Sequence, residues 1–69
     1  MNLEQAMKRF GQNVKKLRIT KKLTQEDMRY KGFNYRYFQK IESGQVNPTL
    51  GTLLRLSNTL KCKLSDLLE

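Results

Sequence analysis

An all-α fold of five short helices is predicted by three properties of the 69-residue sequence. Apolar residues recur at steps of three and four, with no stretch of period-two alternation. Gly32, Gly44 and Pro48, the strongest local breakers, fall between the periodic stretches. The chain is also short. At this size folding buries only about 60% of the surface that the unfolded chain exposes, so one small core of short elements over residues 1–69 is expected, as a single domain.

The first helix starts at Leu3, where Leu3, Met7, Phe10, Val14 and Leu17 form one apolar stripe and Asn2 is placed to cap it. It should end in the stretch Thr20-Lys21-Lys22, whose cations suit the negative end of a helix dipole. Thr24 then caps a short second helix reaching about Tyr30, with Glu26 and Asp27 in its first turn. Gly32-Phe33-Asn34 reads as a tight turn: Gly32 supplies a positive φ, Phe33 enters the core and Asn34 caps the next helix. This third helix begins at Tyr35, turns Tyr37, Phe38 and Ile41 inward and Tyr35, Arg36, Gln39 and Lys40 outward, and stops at Gly44. Thr49 caps a fourth helix, with Leu50, Leu53, Leu54, Leu56 and Leu60 expected to be buried. Ser65 is expected to cap a last turn, Asp66-Leu67-Leu68.

Charge narrows the function classes. Fourteen Lys and Arg stand against six Asp and Glu, a net charge of +8. On so small a surface this charge sets up a potential of several kT that attracts polyanions. Eleven of the basic residues lie at or before Lys40, so the N-terminal two thirds is the polyanion-facing part. With no His and one Cys, the common zinc ligand sets, the His-dependent catalytic pairs and a disulfide framework are excluded, and no enzyme, metal or cofactor is expected. Cys62 reads as a small hydrophobe. The N-terminus lacks the apolar segment of a signal peptide and no apolar run approaches a membrane span, so a cytoplasmic location is expected, nucleoid-associated when DNA is bound.

Two helices joined by a three-residue turn containing Gly make a helix-turn-helix, in which one helix crosses the DNA backbone and the next enters the major groove. On the outward face of the third helix, Arg36 is suited to guanine O6 and N7. Gln39 and Lys40 pair with base edges or reach phosphates only. Tyr35 meets a thymine methyl, meets a phosphate, or is simply an exposed turn aromatic. Lys15 and Lys16 form a solvated face or add backbone contacts and counterion release.

The ordered set Phe10-Gly11, Val14, Leu17-Arg18, Leu23-Thr24-Gln25-Glu26-Asp27-Met28, Ile41-Glu42-Ser43-Gly44 and Asn47-Pro48-Thr49-Leu50 resembles the phage-repressor and Cro-type (XRE) helix-turn-helix family. The resemblance covers nearly the whole chain and implies a compact five-helix, lambda-repressor-like domain that binds operator DNA, usually as a two-fold dimer. It implies that Gln25 touches a phosphate and braces the third helix, and that Asn34 and Ser43 make flanking backbone contacts. It also implies that Arg18 and Glu42 form an internal ion pair, and that Tyr35, Arg36, Gln39 and Lys40 occupy the base-reading face. One departure stands out: from Gln25 to Gly32 the chain is one residue shorter than the usual pattern, with Arg29 or Tyr30 near the position of the usual small residue.

The expected function is therefore a sequence-specific, double-stranded-DNA-binding transcriptional regulator, a repressor acting as a homodimer on a palindromic operator, with no small-molecule effector and no membrane partner. Leu64, Leu67 and Leu68 either line the dimer interface or close the core. A different class stays open: a small protein-interaction module, such as an antitoxin-like helix-turn-helix subunit. A third reading is an interfacial amphipathic helix over residues 3–16.

Overall fold

Four helices start on a side-chain oxygen that takes their first free amides. Asn2 and Gln5 form a reciprocal capping box, as do Thr24 and Asp27, while Asn34 accepts from the Tyr37 amide and Thr49 from the Thr52 amide. The computed structural model describes residues 1–69 and contains α1 (Leu3–Thr20), α2 (Gln25–Tyr30), α3 (Tyr35–Glu42), α4 (Leu50–Leu60) and α5 (Leu64–Leu68). It has no strand.

Four helices also end alike. Lys22, Gly32, Gly44 and Lys61 follow α1, α2, α3 and α4 with φ of 60°, 97°, 76° and 52°. After each one the chain turns back, so that the next amide donates to the carbonyl five residues earlier: Leu23 to Arg18, Phe33 to Met28, Gln45 to Lys40 and Cys62 to Ser57. This is the Schellman closure, which satisfies carbonyls that the helix leaves free. Two of the four left-handed positions are lysines, for which that conformation is strained.

α5 departs from expectation. It begins at Leu64, and its start is closed by the Asp66 carboxylate accepting from the Lys63 amide at 2.9 Å, so Ser65 lies inside the helix and does not cap it. This is the return arm of a capping box, which Gln5 and Asp27 also make, and no N-cap side chain accompanies it here.

The core is one cluster to which every helix contributes: Phe10 and Val14 from α1, Met28 from α2, Phe38 and Ile41 from α3, Leu56 and Leu60 from α4, Leu67 from α5, and Phe33 from the turn. The Phe33 and Phe38 rings meet in a tilted pair with centroids 5.8 Å apart. α1 packs on α3 and α5, α2 on α3, and α4 on α1 and α5. Gly11 marks the α1–α3 crossing: a Cβ there would collide with the Ile41 and Glu42 carbonyl oxygens, so only glycine lets α1 lie so close to the end of α3.

For the leucines, one open alternative is decided and two expectations are corrected. Leu67 is fully buried, and therefore closes the core and is not available to a second copy. Leu50 and Leu54 are 63% and 48% exposed instead of buried. The inward side of α4 is set by Leu53, Leu56, Ser57 and Leu60, which leaves Leu54 beside that face, while Leu50 stands in the first turn, beyond the core. Leu3, likewise at the tip of its helix, is exposed.

Candidate nucleic-acid interface

α3 turns its apolar side, Phe38 and Ile41, fully into the core and leaves Arg36, Gln39 and Lys40 on the opposite side in solvent. Tyr35 stands at the edge of this surface, 36% exposed. Arg36, Gln39, Lys40, Ser43 and Gln45 line one open depression that contains no hydrophobic side chain. The acids nearby are engaged elsewhere: Glu42 with Arg18, Glu26 with Arg29 at 3.1 Å, and Asp27 in the α2 cap. Arg36 and Lys40 therefore present uncompensated positive charge. Such a surface favours an anion with many acceptor oxygens.

A buried polar network holds this face. Arg18, only 7% exposed, places its guanidinium as a fork on Glu42, with Nε donating to Oε2 at 2.6 Å and Nη2 to Oε1 at 3.1 Å. Its Nη1 donates to the Leu23 carbonyl at 2.7 Å, which ties in the α1–α2 connection. Gln25 adds α2, its Nε2 donating to Glu42 Oε1 at 2.9 Å. Gln39 Nε2 in turn donates to Gln25 Oε1 at 3.4 Å, so the chain of contacts runs from the interior out to the exposed face. No buried side-chain polar atom lacks a partner. A satisfied network of this kind rigidifies what it joins.

The structure groups the nominated residues unequally. Arg36, Gln39, Lys40 and Ser43 share one depression, with Asn34 at the N-terminus of α3. Gln25 lies behind Gln39 with its carboxamide bound inward. Lys15 and Lys16 are exposed on α1, and Lys16 lines a separate depression with Arg9, Asn13, Thr20, Asp66 and Glu69. The shortened α2 packs through Met28, and Arg29 points outward to Glu26.

Two residues of this region are missing from the sequence reading. Gln45 reaches the α3 depression because the left-handed Gly44 folds the chain back, and the Gln45 amide then bonds the Lys40 carbonyl at 3.0 Å. The signal was the glycine immediately before it. Arg55 donates from Nη2 to the Gly32 carbonyl at 2.9 Å and lies 4.3 Å above the Phe33 ring. No local pattern marks that contact, which spans 23 residues.

Comparison with known proteins agrees with this fold. Residues 14–67 match the helix-turn-helix family model HTH_3. The chain belongs to the XRE-type helix-turn-helix family. This is a family of DNA-binding transcription regulators, not a class of enzymes. The XRE-type chain is 41% identical over 54 residues to an uncharacterized HTH-type transcriptional regulator, y4dJ, of Sinorhizobium fredii (strain NBRC 101917 / NGR234), a match covering 77% of this chain and 70% of the relative. It is also similar to the crystal structure of the restriction-modification controller protein C.AhdI from Aeromonas hydrophila. That similarity has a TM-score of 0.82 at 32% identity over 88% of this chain and 94% of the other. No three His, Cys, Asp or Glu side chains of the XRE-type domain are grouped to hold a metal ion, and no helix is long and apolar enough to cross a membrane.

Proposed function

We propose that this XRE-type protein is a sequence-specific regulator of transcription, a cytoplasmic repressor that occupies a palindromic operator as a homodimer. The observation that carries the reading is the exposed face of α3, where Arg36, Gln39 and Lys40 stand without acidic partners on a helix held by buried polar contacts. Rigid presentation of such groups suits base edges in a major groove. Arg36 reads a guanine. Gln39 and Lys40 read neighbouring bases or their phosphates, and Tyr35 contributes at the edge. Gln25, Asn34 and Ser43 approach the flanking backbone, with Lys15 and Lys16 adding attraction from α1. The similarity to proteins described as a transcriptional regulator and a controller protein supports the regulatory role.

A second copy is favoured by surface composition. Leu3, Leu50, Leu54 and Leu68 are all about half or more exposed, and an apolar groove lined by Ala6, Met7, Phe10, Pro48 and Leu53 reaches Leu3 and Leu68. Covering these residues removes apolar surface from water. One chain measures 32 × 23 × 20 Å and offers one α3, so two copies would place two such helices in successive major grooves about 34 Å apart. The same leucines also favour the antitoxin-like reading, in which a different protein covers them.

Selection of bound sites from random double-stranded DNA tests the proposal. A palindrome with half-sites one helical turn apart is the expected result. Binding without sequence preference at physiological salt would overturn it, and capture of a partner protein with no DNA preference would establish the antitoxin-like alternative.

A further inference from the structure

The connection between α2 and α3 leads into the N-terminal half of α3, whereas the C-terminal end of that helix is held by the Gly11 crossing and the Arg18–Glu42 pair. The backbone of α4 runs close to α1 and α5 but not to α2 or α3, which it meets only through core side chains. Arg55 bridges that gap. From the exposed side of α4 its guanidinium crosses to the turn, donates to the Gly32 carbonyl at 2.9 Å and covers the ring of Phe33 at 4.3 Å. No backbone amide donates to the Gly32 carbonyl, and the residue itself is left-handed, with a φ of 97°. Phe33 is a core residue, and Asn34, the cap of α3, comes next. One planar cation thus grips the turn at two consecutive residues, immediately before the helix that bears Arg36. A planar guanidinium stacks flat on the ring while its edge donates, whereas lysine offers a compact point charge on a flexible stem, with no plane to lay on the ring.

We propose that Arg55 is a positioning residue for sequence reading: it fixes the α2–α3 turn from α4 and so sets the approach of the N-terminal half of α3 to the bases. The inference rests on the DNA-reading function proposed above. Arg55 does not itself touch a base, so its removal loosens discrimination without removing a charge from the DNA contact.

The test compares Arg55→Ala and Arg55→Lys with the wild type on the selected site and on unrelated duplex DNA, across a salt series and well below the melting temperature of each variant. For Arg55→Ala the ratio of specific to non-specific affinity is expected to fall about three- to tenfold, the scale of one hydrogen bond and one exposed cation–π contact. Non-specific binding and its salt slope are expected to stay at the wild-type values. Arg55→Lys should restore little of the ratio, and in both variants the amide resonances of residues 32–36 should move. A matching loss on both DNAs, with the salt slope lowered by about 0.9 and full rescue by lysine, would make Arg55 a phosphate contact and overturn the proposal. An unchanged ratio in Arg55→Ala overturns it also. If the wild type has no sequence preference, the DNA-reading function fails and this proposal fails with it; if only the variant comparison fails, the function stands.

Discussion

Arg18 combines a charge, a fork of donors and a nearly buried position, and it serves α1, α2 and α3 together. Removing it leaves the Glu42 carboxylate enclosed with only Gln25 as a donor, so Arg18→Ala is expected to lower stability by about 3 kcal/mol in urea unfolding. Replacing both partners, as Arg18→Met with Glu42→Leu, should recover most of that loss, because no uncompensated charge remains. Arg36 lies at the other extreme, exposed and without an acid, so Arg36→Ala should leave stability unchanged. It should cost about 1–3 kcal/mol of binding at sites with the preferred base and relax preference at one position of the selected site. Lys16 faces a different depression, near Asp66 and Glu69, and any loss in Lys16→Ala should fall equally on all DNA sequences. The Arg18–Glu42 pairing was available from resemblance alone, since 24 residues separate the partners and no periodicity joins them. Arg55 shows the opposite outcome, a cation on an amphipathic helix whose local pattern suggests only solvent.

The helices are specified mainly at their ends. The Asp27 carboxyl sits below its ordinary value of 3.8 because the Thr24 amide, and then the Thr24 hydroxyl, donate to it. A depressed folded-state value means that the contribution of this cap is complete above the ordinary value and disappears as pH falls through the folded one. Thermal melts taken from neutral to strongly acidic pH should therefore show an acid-side loss that Asp27→Asn reduces. The C-terminal closures differ in residue type but not in geometry. Lys61→Gly, at a φ of 52°, is expected to raise stability by about 0.5–1 kcal/mol, since glycine enters the left-handed region without strain. Caps and closures of this kind are local, which is why Asn2, Thr24, Gly32, Asn34, Gly44 and Thr49 were all readable in order along the chain. α5 was less so, because its N-cap residue is Lys63, which has no oxygen to accept an amide.

The small molecule keeps nine apolar side chains in its core and leaves several leucines outside it. If a second copy covers Leu50 and Leu54, then Leu54→Glu should leave the monomer folded, because Leu54 is already 48% exposed, yet abolish the dimer in sedimentation. Loss of the linked second site should lower affinity for a full palindrome by about a hundredfold or more while single half-site binding persists. A variant that dimerises and binds as the wild type does would exclude this surface. Sequence periodicity could not separate Leu50 and Leu54 from Leu53, Leu56 and Leu60, because on a leucine-rich helix the buried side is defined by the neighbours that pack on it. For the same reason Leu67 and Leu68 were indistinguishable as adjacent leucines, although one is fully buried and the other 58% exposed.

Local chemistry was enough to establish the number and order of the helices, the caps and turns between them, the outward placement of Arg36, Gln39 and Lys40, and the attraction to polyanions. Each of these depends on neighbours a few residues apart or on a sum of charges. Tertiary packing alone decided which leucines close the core, how Arg18, Glu42, Gln25 and Gln39 connect, and that Arg55 and Gln45 belong with the α2–α3 unit. Those outcomes depend on where distant helices cross, and the crossing is set by close approaches such as that of Gly11 to the Ile41 carbonyl, which no period along the chain encodes.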